Sequence, residues 1–249
     1  MECLIIAAGR GSRFGADVGS KPLLTVRGRP LIEWVISAAM DAGIRTFRVV
    51  TGYAADKVES YLEGLAREKQ VEISFIRNDE WEKENGLSVL KAKHKAPEKF
   101  VLLMSDHILD AVILSRLVTK PIAADETILA VDFNIKGNPL VDLEDVTKVL
   151  VESGNIREIG KRLASYNAFD TGIFLCTPAI FSALEQSQRG GDFTLSGGIK
   201  VLAARNKAKV MDIAGGFWID VDDEKARTKA GNLLAGRFWF PREKQPHKL

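Results

Sequence analysis

Along the first half of the chain, short apolar runs alternate with stretches in which apolar residues recur every three or four positions. The runs are Glu2–Ala8, Thr46–Thr51, Glu72–Ile76 and Phe100–Met104, and the helical patterns after them are Leu31–Ala42, Ala54–Glu68, Gly86–His94 and Ala111–Lys120. Runs with little polar alternation are what strands buried on both faces look like. In Leu31–Ala42 the residues Leu31, Val35, Ala38, Ala39 and Ala42 share a helix face, Pro30 suits the entry and Gly43 the stop. Four such strand–helix units predict an α/β fold: a Rossmann-like, mostly parallel sheet with helices on both faces and a ligand at the carboxyl ends of the strands.

The pattern changes after Glu126. Thr127–Phe133, Val146–Glu152, Ile156–Ile159 and Thr171–Cys176 are β-rich, and Ser153-Gly154-Asn155 has the composition of a hairpin turn. This half is expected to extend the sheet and to insert an antiparallel β-ribbon that closes one side of the cleft. Helical patterns return at Ala179–Gln188 and Leu195–Arg205, then come a strand at Lys209–Ile213 and a helix at Glu224–Ala235. Residues 1–236 are expected to form one domain. The basic tail 237–249 is expected to be poorly ordered, with Phe238-Trp239-Phe240 packing on the domain.

The first apolar run breaks at once into Gly9-Arg10-Gly11-Ser12-Arg13. A turn this lean frees backbone N–H groups to face an anion, and Arg13 and Lys21 add charge beside it. Ala7, Ala8, Gly9 and Gly11 thus read as a polyphosphate cradle, against the plainer alternative of a glycine turn with two solvated cations. Two better-known loops are excluded. A dinucleotide fingerprint needs its third glycine at Phe14, whereas Gly15 comes one residue late; Gly15 to Lys21 has the wrong spacing for a Walker A loop, and Pro22 follows the lysine.

Composition narrows the ligand. Lys plus Arg is 35 and Asp plus Glu is 33 in 249 residues, so a net charge of +2 gives no global attraction to nucleic acid or anionic lipid. Electrostatic specificity must be local, which suits a small anionic substrate. Cys3 and Cys176 lie in apolar runs without metal-type spacing and are expected in the core. There is no signal-peptide pattern and no run of the ~20 apolar residues that span a bilayer, so a cytoplasmic chain with no membrane span is expected.

Acids follow two apolar segments. Asp106, directly after Phe100–Met104, belongs at the edge of the sheet that carries the glycine loop. In Trp218-Ile219-Asp220-Val221-Asp222-Asp223, Asp220 and Asp222 alternate with apolar residues and face one side. Mg²⁺ takes one or two carboxylates and completes its shell with substrate phosphates and water, so Asp106, Asp220 and Asp222 are the expected metal set. Asp223 suits the cap of the next helix. His107 is read as a packing or supporting residue, since Mg²⁺ disfavours imidazole. Asn85 suits a helix N-cap.

The sequence A-A-G-x-G-x-R followed by K-P-L, over Ala7–Leu23, resembles the signature loop of nucleotidyltransferases that activate sugar phosphates and related alcohol phosphates with an NTP. The resemblance implies that Arg13 and Lys21 hold the triphosphate. It also implies an acid after the central strand paired with one in a W-x-D-x-D segment; the family pattern leaves open which of Asp220 and Asp222 touches the ion, and Asp222 is the expected contact, with Asp220 beside or behind it. It further places Asn85 and Ser88 of Glu84-Asn85-Gly86-Leu87-Ser88 against the base, and sends Lys161 to the acceptor phosphate. The strand Asp170-Thr171-Gly172-Ile173-Phe174 then lines the acceptor pocket, with Asp170 for its hydroxyls. Gly190–Ser196 is read as a lid, with Thr194 or Ser196 starting a helix.

Ser105-Asp106-His107, together with Gly160-Lys161-x4-Tyr166-Asn167-Ala168-x-Asp170-Thr171-Gly172-Ile173-Phe174, narrows the resemblance to the CTP:L-myo-inositol-1-phosphate cytidylyltransferases. These make CDP-inositol for di-myo-inositol phosphate and are often fused to a membrane domain, so the chain is expected to be a stand-alone enzyme or an excised domain. The alternatives are a cytidylyl- or uridylyltransferase for a sugar-1-phosphate or phosphocholine, and a non-catalytic nucleotide-binding regulatory protein on the same fold. The retention of every expected cation and acid favours an enzyme.

Overall fold

A computed structural model describes residues 1–14 and 19–236. Gly15 and the expected tail, with Phe238-Trp239-Phe240, lie outside the described residues.

In chain order the first half holds β1 (Glu2–Ala7), short 3-10 turns at Ser12–Phe14 and Lys21–Leu23, the small hairpin β2 (Thr25–Val26) and β3 (Arg29–Pro30), α1 (Leu31–Asp41), β4 (Thr46–Thr51) and α2 (Ala55–Lys69). It continues with β5 (Glu72–Arg77), α3 (Asn85–Lys91), β6 (Phe100–Met104), β7 (His107–Leu109) and α4 (Ala111–Val118). The second half holds β8 (Thr127–Asp132), β9 (Lys148–Glu152), β10 (Asn155–Gly160), β11 (Ala168–Cys176), α5 (Ala179–Arg189) and α6 (Leu195–Ala204). It closes with β12 (Ala208–Asp212), β13 (Trp218–Asp220) and α7 (Glu224–Gly236).

Among the described residues nine strands form one sheet in the order β5-β4-β1-β6-β11-β8-β12-β10-β9. β5, β4, β1 and β6 run parallel, as four strand–helix units require. β11 is antiparallel to both β6 and β8, and β9–β10 is the expected ribbon. Its two-residue turn, Ser153-Gly154, has φ of 48° and 76°, the left-handed pair that matches strand twist.

The central strands are apolar throughout because both faces are covered. Cys3, Ile5 and Ala7 pack with α1, α2 and α4, while Leu4 and Ile6 pack with α3, α5 and α6 on the other side. Both cysteines are core residues, and burial pushes their thiols well up, which leaves them unreactive. A third, smaller core gathers Val26, Leu31, Trp34, Ile108, Phe217, Ile219 and Val221 under α7. Its centre is a two-stranded antiparallel sheet of β7 and β13, which the hydropathy pattern did not predict.

β11 bends where the site needs it. Its register against β8 shifts between Asp170 and Phe174, and Gly172 sits inside the irregularity at φ 71°. A Cβ there would lie 2.9 Å from His107 Nε2. Gly172→Ala should therefore lower stability by about 1–3 kcal/mol through backbone strain and displacement of His107. Urea unfolding measures this, and an unchanged midpoint would show that the bulge relaxes freely.

Candidate active site

The site assembles where β1, β6 and β13 end. Beyond β1 the chain is pinned by Tyr53 N, which donates to Ala8 O at 2.9 Å. Gly11, at φ 73°, lies against Lys21: a Cβ on it would stand 2.6 Å from Lys21 Cβ. The glycine is thus needed for the lysine as well as for the turn. Ser105 N donates to Ile6 O at 3.1 Å, which sets Asp106 beside the loop.

The second acidic segment arrives through β-pairing. Asp220 is opposite His107 in the β7–β13 register, and Val221 N donates to Asp106 O at 3.0 Å. Residues more than a hundred positions apart are thereby fixed side by side. Asp223 Oδ1 accepts from Ala226 N at 2.6 Å and caps α7, as expected.

The side chains form an alternating series of charges. Lys161 Nζ meets Asp145 Oδ1 at 2.5 Å, and Arg13 grips Asp145 with two bonds of 2.6 and 2.9 Å. Arg13 also reaches Asp222 at 2.7 Å. Lys21 Nζ pairs with Asp222 and with Asp106, the latter at 2.6 Å, and His107 Nδ1 donates to Asp106 at 2.8 Å. His107 Nε2 then faces Asp220 Oδ2 at 4.0 Å.

Each group is tuned by its neighbours. Lys21 is only 8 % exposed; burial alone would lower its ammonium, but Asp106, Asp220 and Asp222 outweigh burial and hold it fully charged. For Asp106 burial works upward, and Lys21 and His107 overcome it and hold the carboxyl well below the usual range. His107 is pushed up to about 9, its burial outweighed by Asp220 and Asp106. Burial, reinforced by Asp106 and Asp222, raises Asp220 to about 7.

Two groups of side chains here bring ligand atoms within 4.8 Å of one another: Asp106, His107 and Asp220, and Asp145, Asp220 and Asp222. Among the described residues Asp220 Oδ1 is buried with no hydrogen-bond partner. An orphaned carboxylate oxygen among further carboxylates fits a hard divalent cation.

The acids open into a cleft of about 810 Å³ that also takes in Arg13, Lys161, Asp170 and Asn85. Asp170 Oδ1 accepts from Gly172 N at 2.8 Å, and burial raises this carboxyl to about 6. Asn85 departs from expectation. It is the first helical residue of α3 and not its cap, and its Oδ1 accepts from Leu195 N at 2.9 Å. The cause is the approach of the two helix entries, so close that a Cβ on Gly86 would lie 2.5 Å from Phe193 O. Ser88 is buried behind Asn85, where its hydroxyl accepts from Asn78 Nδ2 at 2.9 Å. Within the stretch expected to act as a lid, Asp192 Oδ1 accepts from Thr194 N and Oγ1, and Thr194 caps α6 as expected.

Sequence reasoning missed Asp145 and Asp132. Asp145 sits in the polar loop Asp142-Leu143-Glu144-Asp145, which offers no signal. Asp132 did offer one, because it closes an apolar strand just as Asp106 follows one.

Known proteins share the sequence pattern and the fold. The protein named "Bifunctional IPC transferase and DIPP synthase" of Aquifex aeolicus is 32% identical over 235 residues, covering 93% of this chain and 51% of its own length. The protein of the same name from Thermococcus kodakarensis is 31% identical over 236 residues, covering 94% and 50%. The chain thus spans about half the length of these curated relatives. Among solved structures, the inositol-1-phosphate CTP transferase from T. maritima superimposes with a TM-score of 0.82 at 25% identity, covering 94% of each chain. The MobA-like NTP transferase domain pattern matches residues 3–162, which hold Arg13, Lys21, Asp106 and Lys161, and the chain belongs to that nucleotidyltransferase family.

Proposed function

We propose that the chain is a Mg²⁺-dependent cytidylyltransferase that joins CTP to L-myo-inositol-1-phosphate, giving CDP-inositol for di-myo-inositol phosphate synthesis and releasing pyrophosphate. The observation that carries this reading is the cleft lined by Arg13, Lys161, Asp106, Asp220 and Asp222, with the buried Lys21 joined to it through Asp106 and Asp222. The choice of substrates is supported by the likeness to the T. maritima inositol-1-phosphate CTP transferase and by the Ser105-Asp106-His107 segment.

A phosphate oxygen of the acceptor attacks the α-phosphorus of CTP, and the bond to pyrophosphate breaks. The nucleophile is already anionic, so no general base is required, and catalysis consists of alignment and charge neutralisation. Arg13, whose fork now holds Asp145, has the geometry to take two phosphate oxygens of the leaving group. Lys21, short of freedom and fixed by two carboxylates, presents a point charge to the α-phosphate. Lys161 aligns the acceptor phosphate, and Asp170 meets the ring hydroxyls. Asp106 and Asp222, with Asp220 beside them, would hold the metal, which supplies charge neutralisation at the phosphates.

The direct test is pyrophosphate release with each NTP crossed with inositol-1-phosphate, sugar-1-phosphates and phosphocholine. The greatest kcat/KM is expected for CTP with inositol-1-phosphate, and a better pair would replace the substrates while keeping the chemistry. Asp106→Asn should fold and lose turnover by on the order of 10²-fold, because a charged metal donor becomes a neutral amide. Full activity at saturating Mg²⁺ would remove Asp106 from the site. Lys21→Ala should cut the single-turnover rate by roughly 10²–10³-fold with little change in CTP affinity, and a loss confined to CTP binding would overturn its role at the α-phosphate. Lys161→Ala should raise KM for the acceptor while CTP binding, followed by calorimetry, stays near wild type. Equal loss of both would mean that Lys161 serves the nucleotide.

A further inference from the structure

Asp132 ends β8 and is 6 % exposed, yet its partners among the described residues are all neutral donors. Asn134 N donates to Oδ1 at 2.9 Å, and Asn138 Nδ2 and Trp218 Nε1 each donate to Oδ2 at 2.9 Å. A buried carboxylate without an ion pair is costly, and three donors are what keeps it in place.

Those donors belong to the segments that deliver the acids of the cleft. Asn134 and Asn138 open the loop that runs on to Asp145, and Asn138 Oδ1 also accepts from Leu140 N at 3.0 Å. Trp218 opens β13, two residues before Asp220 and four before Asp222. Its ring lies within 8° of parallel to the His107 ring, with centroids 6.3 Å apart. His107 in turn holds Asp106 through Nδ1. Gly172 also lies against the His107 ring, where a Cβ would stand 2.9 Å from Nε2. One carboxylate therefore stands behind three separately delivered acids without touching the cleft chemistry itself.

We infer that Asp132 is a positioning residue: through the indole N–H of Trp218 and the amide of Asn138 it fixes the spacing of Asp106, Asp220 and Asp145. The inference rests on the reaction proposed above. In a site that works by alignment, a displacement of about 1 Å costs on the order of 10²-fold in rate. A residue that only supported the fold would change the melting temperature and leave the chemical step alone.

The test compares Asp132→Asn, Trp218→Phe and the double variant with the wild type. The asparagine keeps the shape but, in either orientation of its amide, turns an NH2 toward at least one of the three donors, and the phenylalanine keeps an aromatic ring and loses the N–H. Each single variant should melt cooperatively and lose about 10- to 10²-fold in kcat, with KM for CTP within about threefold of wild type. The double variant should be no slower than the slower single, because both remove one link. Wild-type kcat in Asp132→Asn below its melting transition, or losses that multiply in the double variant, would overturn the inference. Should Asp132→Asn fail to fold, Asn138→Ala and Trp218→Phe carry the same comparison with Asp132 intact.

A wild type that transfers no nucleotide would sink the proposed reaction. Asp132 would then be judged by Mn²⁺ binding to the substrate-free protein, followed by electron paramagnetic resonance. Binding weakened severalfold in Asp132→Asn and Trp218→Phe supports the positioning role. Equal binding, or none to the wild type, overturns it.

Discussion

The ammonium of Lys21 is the contact on which the site depends. It stands between Asp106, which follows β6, and Asp222, which follows β13, and it is nearly closed to solvent. Removing one partner of a buried ion pair typically costs about 3–5 kcal/mol, because the remaining charge is stranded. Two local devices allow the lysine to lie there. Gly11 leaves room for its aliphatic stem, and Pro22 helps form the tight turn that carries it. The other charges complete the series, with Arg13 binding the second oxygen of Asp222 and Lys161 sharing Asp145 Oδ1 with Arg13.

On the proposed reaction, this arrangement gives substrate entry a definite electrostatic form. Arg13, Lys21 and Lys161 all hold carboxylates here, so an arriving phosphate exchanges one anionic partner for another and does not meet bare cations. Arg13 and Lys161 are about half exposed and can make that exchange at the mouth of the cleft. Lys21 is buried and keeps its place. The division suits the roles proposed for them, with exposed cations receiving phosphates and a buried one meeting the reacting phosphorus.

Most of the fold was legible because its signal is burial. β4 and β6 were placed to the residue, and β1 within one, since an apolar run buried on two faces has sharp ends. β7 and β13 escaped because three residues each are too short for a period to register, although their flanking acids were noticed. The glycine loop and Asp106 were readable from position alone, whereas the part given to Lys161 came from resemblance. Asn85 was misread as a cap because its partner, Leu195 N, is more than a hundred residues away. Asp145 could not be read at all, as it is one acid among several in a polar loop whose approach to Arg13 is a matter of tertiary structure.

The β7–β13 pairing also sets a timetable for synthesis. Asp220 pairs with His107 across a span of chain that includes β8 through β12. Contacts of such sequence separation form late, since the entropy of closing the intervening loop must be met first. A nascent chain can lay β5, β4, β1 and β6 together long before β13 has left the ribosome. Until then Lys21 has only one of its two carboxylates, and β7, which follows Asp106, lacks its partner strand. The growing polypeptide thus passes through a stage in which the parallel strands stand while the acidic cluster is incomplete, and the arrival of β13 joins the two.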